Sequence, residues 1–221
     1  MAEPSDRLIP PRQARSRATL ERALNAGVEI LEEGDWEAFT VAEVCRRADV
    51  AVGSLYSRFP TKRALLLAVQ ERILAQLEAE ELDRFTDPQW ASLGVRQTID
   101  RAVREVVGMF RRHHVVLCIL MTRGAHDPDV QLHGSASARH LGEDFERVIL
   151  TKRAELNHPA PELAVEVATR LLLDTLARRI TAPPGLQSTI SWDVLAEELV
   201  VVVSSYLLHT DSASASLPQR R

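Results

Sequence analysis

Apolar residues recur along the chain at helical spacing, and the first such pattern spans residues 12–33. Four of its apolar positions, separated by four, four and three residues, share one helix face: Leu20, Leu24, Val28 and Leu31. Gly34 follows directly and provides a stop signal, because glycine readily adopts the left-handed conformation that ends a helix. The pattern therefore predicts a long helix that buries one side.

The segment 40–59 is predicted to contain two short helices. Thr40 and Glu43 have the spacing of a capping box, in which the threonine hydroxyl accepts a hydrogen bond from the Glu43 amide and the glutamate side chain reaches back. One side of the first short helix is apolar: Val41, Val44, Cys45 and Ala48. The break falls at Asp49, since aspartate is among the few residues besides glycine that tolerate a left-handed turn.

Longer helices are predicted for the rest of the chain. Their starts are marked by Thr or Asp caps and by prolines, which suit the first position of a helix. Five such helices are predicted, over residues 61–85, 87–110, 127–157, 161–180 and 191–209. A short apolar helix at 115–121 lies between the second and the third. The total is about nine helices and no alternating strand pattern, and so the predicted fold class is all-α.

Composition agrees with a helical, core-forming protein. The chain has 221 residues, of which 45% are hydrophobic and only 5% aromatic. The longest apolar runs, Val115–Met121 and Leu199–Val203, are far shorter than the roughly 18 residues of a membrane span, and the first residues lack a signal-peptide core. A cytoplasmic protein without a membrane partner is expected. Cys45 and Cys118 have no partner at zinc-binding spacing, so no metal and no cofactor are expected.

Charge is distributed unevenly. The net charge is −4, which by itself argues against a nucleic-acid partner. The segment 7–22, however, has one acidic residue, Glu21, against five arginines: Arg7, Arg12, Arg15, Arg17 and Arg22. This basic N-terminal segment is able to bind a polyanion even though the whole chain is weakly acidic.

Two short helices joined by a turn, with a third in front, form the helix-turn-helix arrangement. In the second short helix, predicted over residues 52–59, Leu55 and Phe59 are four apart and face the core. Small and polar residues are left to face outward, where they are able to meet base edges or phosphates: Val52, Gly53, Ser54, Tyr56 and Arg58. The alternative for this unit is a structural hairpin in an unrelated helical domain.

Residues 40–66, TVAEVCRRADVAVGSLYSRFPTKRALL, resemble the DNA-binding signature of the tetracycline-repressor (TetR) family of transcriptional regulators. The matching elements are Thr40, Ala48-x-Val50, Gly53-Ser54-Leu55-Tyr56 and Phe59-Pro60-x-Lys62. The resemblance implies an all-helical homodimer with a helix-turn-helix DNA-binding domain at 12–75 and a ligand-binding and dimerisation domain at 76–210. The segments 1–11 and 211–221 are expected to be flexible tails.

The resemblance also implies roles for individual residues. Thr40, Tyr56 and Lys62 would bind phosphate; Val52, Gly53 and Ser54 would meet the bases; Arg15 and Arg17 would follow the backbone or enter the minor groove; Arg58 would serve either purpose. Three positions depart from the family pattern: Asp49 replaces the usual glycine, Val52 a frequent lysine or polar residue, and Arg58 a histidine or tyrosine. The operator sequence therefore cannot be transferred from a relative.

The expected function is that of a homodimeric repressor released from a palindromic operator by a small lipophilic or aromatic effector. The effector pocket is predicted to be lined by Val103, Val107, Phe110, His114, Leu117, Met121, Phe145, Ile149 and Thr175. The dimer seam is predicted on the last two helices, at Leu172, Leu176, Leu195, Leu199, Val202 and Tyr206. The pocket is mostly apolar, with His114 or Thr175 as polar anchors.

Other functional classes stay open. One is a TetR-like activator, or a regulator that needs no effector; another is an enzyme or carrier on a helical scaffold. His114 and Cys118 are four apart, a spacing that two metal ligands could share, but two ligands do not make a site. His126-Asp127 resembles a catalytic dyad, yet Asp127 is explained as a helix cap before Pro128. A non-enzymatic protein is therefore expected.

Overall fold

The computed structural model describes residues 12–183 and 185–208, and all regular structure in that part of the chain is helical. It contains nine α-helices: α1 (Arg12–Glu32), α2 (Val41–Ala48), α3 (Val52–Tyr56), α4 (Lys62–Phe85), α5 (Val95–Arg112), α6 (His114–Gly124), α7 (Pro128–Leu150), α8 (Pro161–Thr181) and α9 (Trp192–Leu208). The all-α prediction is confirmed. The predicted tails lie outside the described residues. None of the described helices combines the length and apolarity that a bilayer crossing requires.

The chain divides into two compact units, one up to Ile73 and one from Leu74 onward. In the first unit, α1 packs against α2 and against the beginning of α4. A Cβ at Gly27 would lie 2.6 Å from a methyl group of Val69, so only glycine permits this approach of α1 and α4. The core of this unit consists of fully buried side chains: Ala23, Ile30, Leu31, Phe39, Val44, Leu65 and Val69.

In the second unit, α5 lies at the centre and packs against α7 and α9, while α7 also contacts α6 and α8. The apolar stripe predicted for α5 is buried, because its members recur at the spacing of one helix face: Ile99, Val103, Val106, Val107 and Phe110. They form one continuous core with apolar side chains from α7, α8 and α9.

In the second unit, two predicted boundaries are wrong. The Asp87-Pro88 pair starts a 3-10 turn, Pro88–Ser92, instead of a long helix, and α5 begins only after Gly94. The Trp90 indole of this turn is buried, and its Nε1 donates to the Arg84 carbonyl at 2.8 Å. The second error is the end of α7, which falls at Leu150 and not near Asn157.

Candidate DNA-binding site

The start of α2 is fixed by Thr40, whose Oγ1 accepts a hydrogen bond from the Glu43 amide at 3.1 Å. The reciprocal half of the predicted capping box is absent, because the Thr40 amide donates to Ala38 at 2.7 Å. The Glu43 carboxylate instead accepts bonds from Arg46 at 2.6 and 2.7 Å and from Arg47 at 2.9 Å. These two guanidinium groups lower the pKa of Glu43 to about 2. Glu43 therefore neutralises arginines on α2 instead of capping it.

The turn between α2 and α3 adopts the predicted left-handed conformation at Asp49, with φ 53° and ψ 55°. Among non-glycine residues in the described ranges, it is the only one with positive φ. Arg22 of α1 stabilises the turn, since its Nε donates to the Ala48 carbonyl at 3.1 Å and its Nη2 to the Asp49 carbonyl at 3.3 Å. Arg22 thus satisfies carbonyls at the end of α2 that the helix cannot pair itself.

Helix α3 presents a small, open surface. Leu55 anchors it with 2% of its area exposed, whereas Val52 and Tyr56 are 47% and 48% exposed. Gly53 and Ser54 are also exposed, and a Cβ added at Gly53 would meet no atom within 4 Å. Leu55 is buried and the outward face is exposed, as predicted, but α3 ends at Tyr56 instead of residue 59, and the second expected anchor, Phe59, is only half-buried. An unobstructed helix start of this kind allows its backbone to approach a DNA groove closely.

Polar and basic residues flank α3. Thr40 and Arg17 are exposed, and the Arg58 guanidinium donates a hydrogen bond to the Ser16 hydroxyl, which brings the beginning of α1 beside the end of α3. The side chain of Arg15 lies outside the described part of the structure. Arg17, the neighbour of Ser16, is therefore close to the α3 surface, as a contact to the DNA backbone would require.

Lys62 occupies the first position of α4, as expected, but its ammonium group is engaged within the protein. Its Nζ donates to the Trp36 carbonyl at 3.0 Å and lies 4.1 Å from the centre of the Trp36 ring. A cation at this distance from an aromatic face is attracted to it. Lys62 therefore holds the loop between α1 and α2. No local pattern predicts this role, because Trp36 is 26 residues away.

Several arginines of the first unit are paired with carboxylates. Arg47 bonds to Glu33 at 2.6 Å in addition to Glu43, and its guanidinium lowers the pKa of Glu33. Arg72 bonds to Glu21 and, at 3.1 Å, to the Asn25 side chain. Arg47 and Arg72 are therefore engaged in ion pairs within the protein, although both add to the basic character of the sequence.

The predicted effector pocket is only partly internal. Five of its apolar residues are buried in the core of the second unit: Val103, Val107, Phe110, Phe145 and Ile149. Leu117 lies at the edge of that core, and Met121 is 37% exposed. The two expected polar anchors are exposed instead of internal: a ring nitrogen of His114 lies 2.9 Å from the Arg111 carbonyl, and the Thr175 hydroxyl donates to Leu171 at 2.6 Å.

The predicted dimer seam also needs correction. Leu172, Leu176 and Leu199 belong to the core of their own chain, because α8 and α9 turn these positions toward α5 and α7. They therefore offer no surface to a partner. Leu195 is partly buried, while Val202 is 54% and Tyr206 36% exposed. Four further apolar residues on these helices are more than 45% exposed and were missed: Leu163, Leu171, Val194 and Val201.

The remaining candidates have structural roles. Cys45 is buried, and burial raises the pKa of its thiol. Asp127 caps α7 as predicted, since its Oδ1 accepts from the amides of Asp129 at 3.1 Å and Val130 at 3.4 Å. A ring nitrogen of His126 lies 3.2 Å from the Thr122 carbonyl. Across the residues that the structure describes, no three His, Cys, Asp or Glu side chains are grouped so as to hold a metal ion.

Comparison with known proteins supports the resemblance. The family model for bacterial regulatory proteins of the tetR family matches residues 23–69. The HTH-type transcriptional regulator UidR of Escherichia coli K12 is 25% identical over 163 residues, which are 73% of this chain and 80% of UidR. The HTH-type transcriptional repressor KstR of Mycolicibacterium smegmatis is 41% identical over 71 residues, or 32% of each chain.

Solved structures share the fold. A TetR-family transcriptional regulator from Mesorhizobium loti covers 90% of this chain and 98% of its own, with TM-score 0.69 and 13% identity. A transcriptional regulator from Saccharomonospora viridis in complex with choline covers 90% and 97%, with TM-score 0.61 and 11% identity. At these identities the likeness concerns the fold alone.

Proposed function

Because the chain belongs to the TetR family of bacterial regulatory proteins, we propose that it is a homodimeric repressor released from a palindromic operator by a small molecule. The relatives are DNA-binding transcriptional regulators, and this coarser function holds for the chain as well. Our proposal adds three things to this function: that the protein is a homodimer, that its operator is a palindrome, and that a small molecule releases it.

The open surface of α3 is the observation that carries the proposal. A helix of five residues, anchored by buried Leu55 and held by a left-handed turn, projects Gly53 and Ser54 without obstruction. We expect Ser54 to meet a base edge and Tyr56 to donate its hydroxyl to a phosphate. Thr40 and Arg17 supply further backbone contacts.

The dimer follows from the DNA geometry. Two recognition helices reach successive major grooves when they lie about 34–36 Å apart, so one protomer cannot read a palindrome alone. Exposed apolar residues on α8 and α9, among them Leu171, Val201 and Val202, supply the surface for a two-fold interface. This interface keeps Val202 of the predicted one but not Leu172, Leu176 and Leu199, which are internal.

An effector would act through its preference for one conformer. If it binds better when the two DNA-binding units are wrongly spaced, operator affinity falls by the same factor by which DNA weakens effector binding. A coupling of about 1–3 kcal/mol corresponds to an effect of about 5- to 150-fold. The choline complex of a protein with the same fold supports a small-molecule effector. An apolar body is expected for it because the interior of the second unit is apolar.

A regulator that needs no effector is the second candidate. The five buried residues of the predicted pocket pack into one continuous core, among them Val103 and Ile149, both with 0% of their area exposed. A close-packed interior of this kind favours a bundle without an effector cavity.

A binding selection from genomic DNA fragments, read at two salt concentrations, tests the proposal. Recovery of a palindromic site with steep salt dependence supports a sequence-specific dimer. A second selection, with protein unfolded and refolded to remove any bound molecule, tests for an effector already present. Failure to enrich any site in both selections contradicts the proposed function.

A further inference from the structure

One acidic residue occupies a core position of α4. Leu77, Glu81 and Phe85 are each four residues apart, so they lie on the same face of the helix. Leu77 is 4% and Phe85 2% exposed, and Glu81 between them is 5% exposed. Carboxylates are rarely buried to this extent without a partner.

No described residue donates a hydrogen bond to the Glu81 carboxylate or forms an ion pair with it, although three neighbouring acids all have basic partners. These three acids are also more exposed than Glu81, so they need a partner less than Glu81 does. Their pairs are Glu80 with Arg112 at 2.6 Å, with His113 at 2.9 Å and with Arg84 at 3.1 Å, Glu78 with His140 at 3.7 Å, and Asp144 with Arg147 at 2.5 Å.

The surroundings of Glu81 therefore disfavour its charged form. Burial is the main cause, and the negative charges of Asp144, Glu78 and Glu80 add to it, which together raise the pKa of Glu81 to about 7. An unpaired buried charge is destabilising, whereas a cation placed beside it removes the penalty.

The geometry points to Glu81 as the binding site for the positively charged group of a small organic cation. An ammonium group needs only one carboxylate to form a charge-assisted hydrogen bond. A Mg²⁺ or Ca²⁺ ion prefers several oxygen ligands, and two of the neighbouring carboxylates, Glu80 and Asp144, are already bonded to arginine.

This inference names the chemical class of the effector and so rests on the proposed function. The expected effector is then a lipophilic or aromatic molecule that also carries a cationic group. Glu81 lies on the same continuous helix, α4, whose first residue, Lys62, holds the Trp36 loop.

The experiment measures the binding of alkylammonium probes to the full chain by their shift of its melting temperature. The probes are n-butylammonium, n-hexylammonium and 2-phenylethylammonium, each compared with the alcohol of the same skeleton, and Mg²⁺ is a separate arm. The variants are Glu81→Gln, which removes the charge at constant shape, and Glu81→Leu, which restores an apolar core residue. Glu71→Gln is the matched control, because it removes the same charge from an exposed position on α4.

We expect at least one ammonium probe to bind the wild-type chain roughly tenfold or more tightly than its alcohol. This preference should be retained by Glu71→Gln and lost in both Glu81 variants. Equal binding of every ammonium and its alcohol, or a preference that survives both Glu81 variants, overturns the inference. Stabilisation by Mg²⁺ that depends on Glu81, without an ammonium preference, overturns it as well.

A parallel measurement separates this inference from the proposed function. The operator fragment recovered by the genomic selection is titrated with protein in the presence and absence of the bound probe. A Glu81-dependent probe that leaves operator affinity unchanged supports the cation site but contradicts effector release. Operator binding without any ammonium preference supports the regulator and overturns the cation site.

Discussion

The substitution Glu81→Gln is expected to stabilise the protein above neutral pH, although it alters a buried residue. The carboxyl group has an ordinary pKa of 4.5 in the unfolded chain, and burial raises its pKa to about 7 in the fold. Below about pH 4.5 both states hold the proton and the residue carries no penalty. As the pH rises to about 7, only the folded state still retains it, so the free energy of unfolding decreases.

The size of the effect follows from this interval. At about 1.36 kcal/mol for each pH unit, the interval from 4.5 to about 7 amounts to at most about 3 kcal/mol above neutral pH. Glutamine has nearly the same shape and stays neutral, so Glu81→Gln should be more stable than wild type by up to this amount at about pH 8.5. Near pH 5 the difference should fall to about 1 kcal/mol or less.

Urea denaturation followed by circular dichroism measures the effect, at one protein concentration because a dimer's stability depends on it. Glu71→Gln serves as the control on the same helix, and its stability relative to wild type should not depend on pH in this way. A Glu81→Gln protein that is less stable than wild type at pH 8.5, or equally shifted at both pH values, would refute the reasoning.

Four further substitutions test the DNA-binding unit. Tyr56→Phe should weaken binding to all DNA sequences about equally and leave the salt slope nearly unchanged, since it removes a neutral hydrogen bond to phosphate and no cation; unaltered affinity would contradict the assignment. Ser54→Ala should change the preference among operator variants in a competition assay, and an unaltered ranking removes Ser54 from base recognition. Asp49→Gly should raise the free energy of unfolding by about 0.5–1 kcal/mol, because glycine adopts the positive φ without strain; destabilisation would contradict this. Lys62→Ala should lower it by about 1–2 kcal/mol through loss of the Trp36 contacts, and unaffected stability would argue against them.

Local patterns predicted the helix-turn-helix well. The cap at Thr40, the left-handed turn at Asp49 and the anchor at Leu55 each depend on residues within a few positions, where spacing is informative. Half of the capping box was wrong, because the arginines that attract Glu43 compete with the backbone amide. Such competition between two chemically reasonable partners is not encoded in spacing.

Contacts between distant positions could not be predicted. Arg22 and Lys62 carry the charges expected of DNA ligands, yet both bond to carbonyls 26 residues away. In the second unit, periodicity identified the apolar residues of α8 but not which side faces the core, and so Leu172 was assigned to the surface. Glu81 was not predicted as a core residue, because hydrophobic periodicity identifies only the apolar residues of a helix face. Its spacing of four from Leu77 nevertheless places it on that face.

The bonds from Arg22 to the carbonyls of Ala48 and Asp49 have a consequence for exchanging specificity between relatives. Grafting the exposed α3 residues alone leaves the support of the turn intact, because that support comes from α1. A graft of the whole 40–59 segment into another scaffold would separate the turn from its arginine and expose two carbonyls without their donor. The smallest DNA-binding segment that keeps this support when it is transferred to another protein therefore contains α1, α2 and α3.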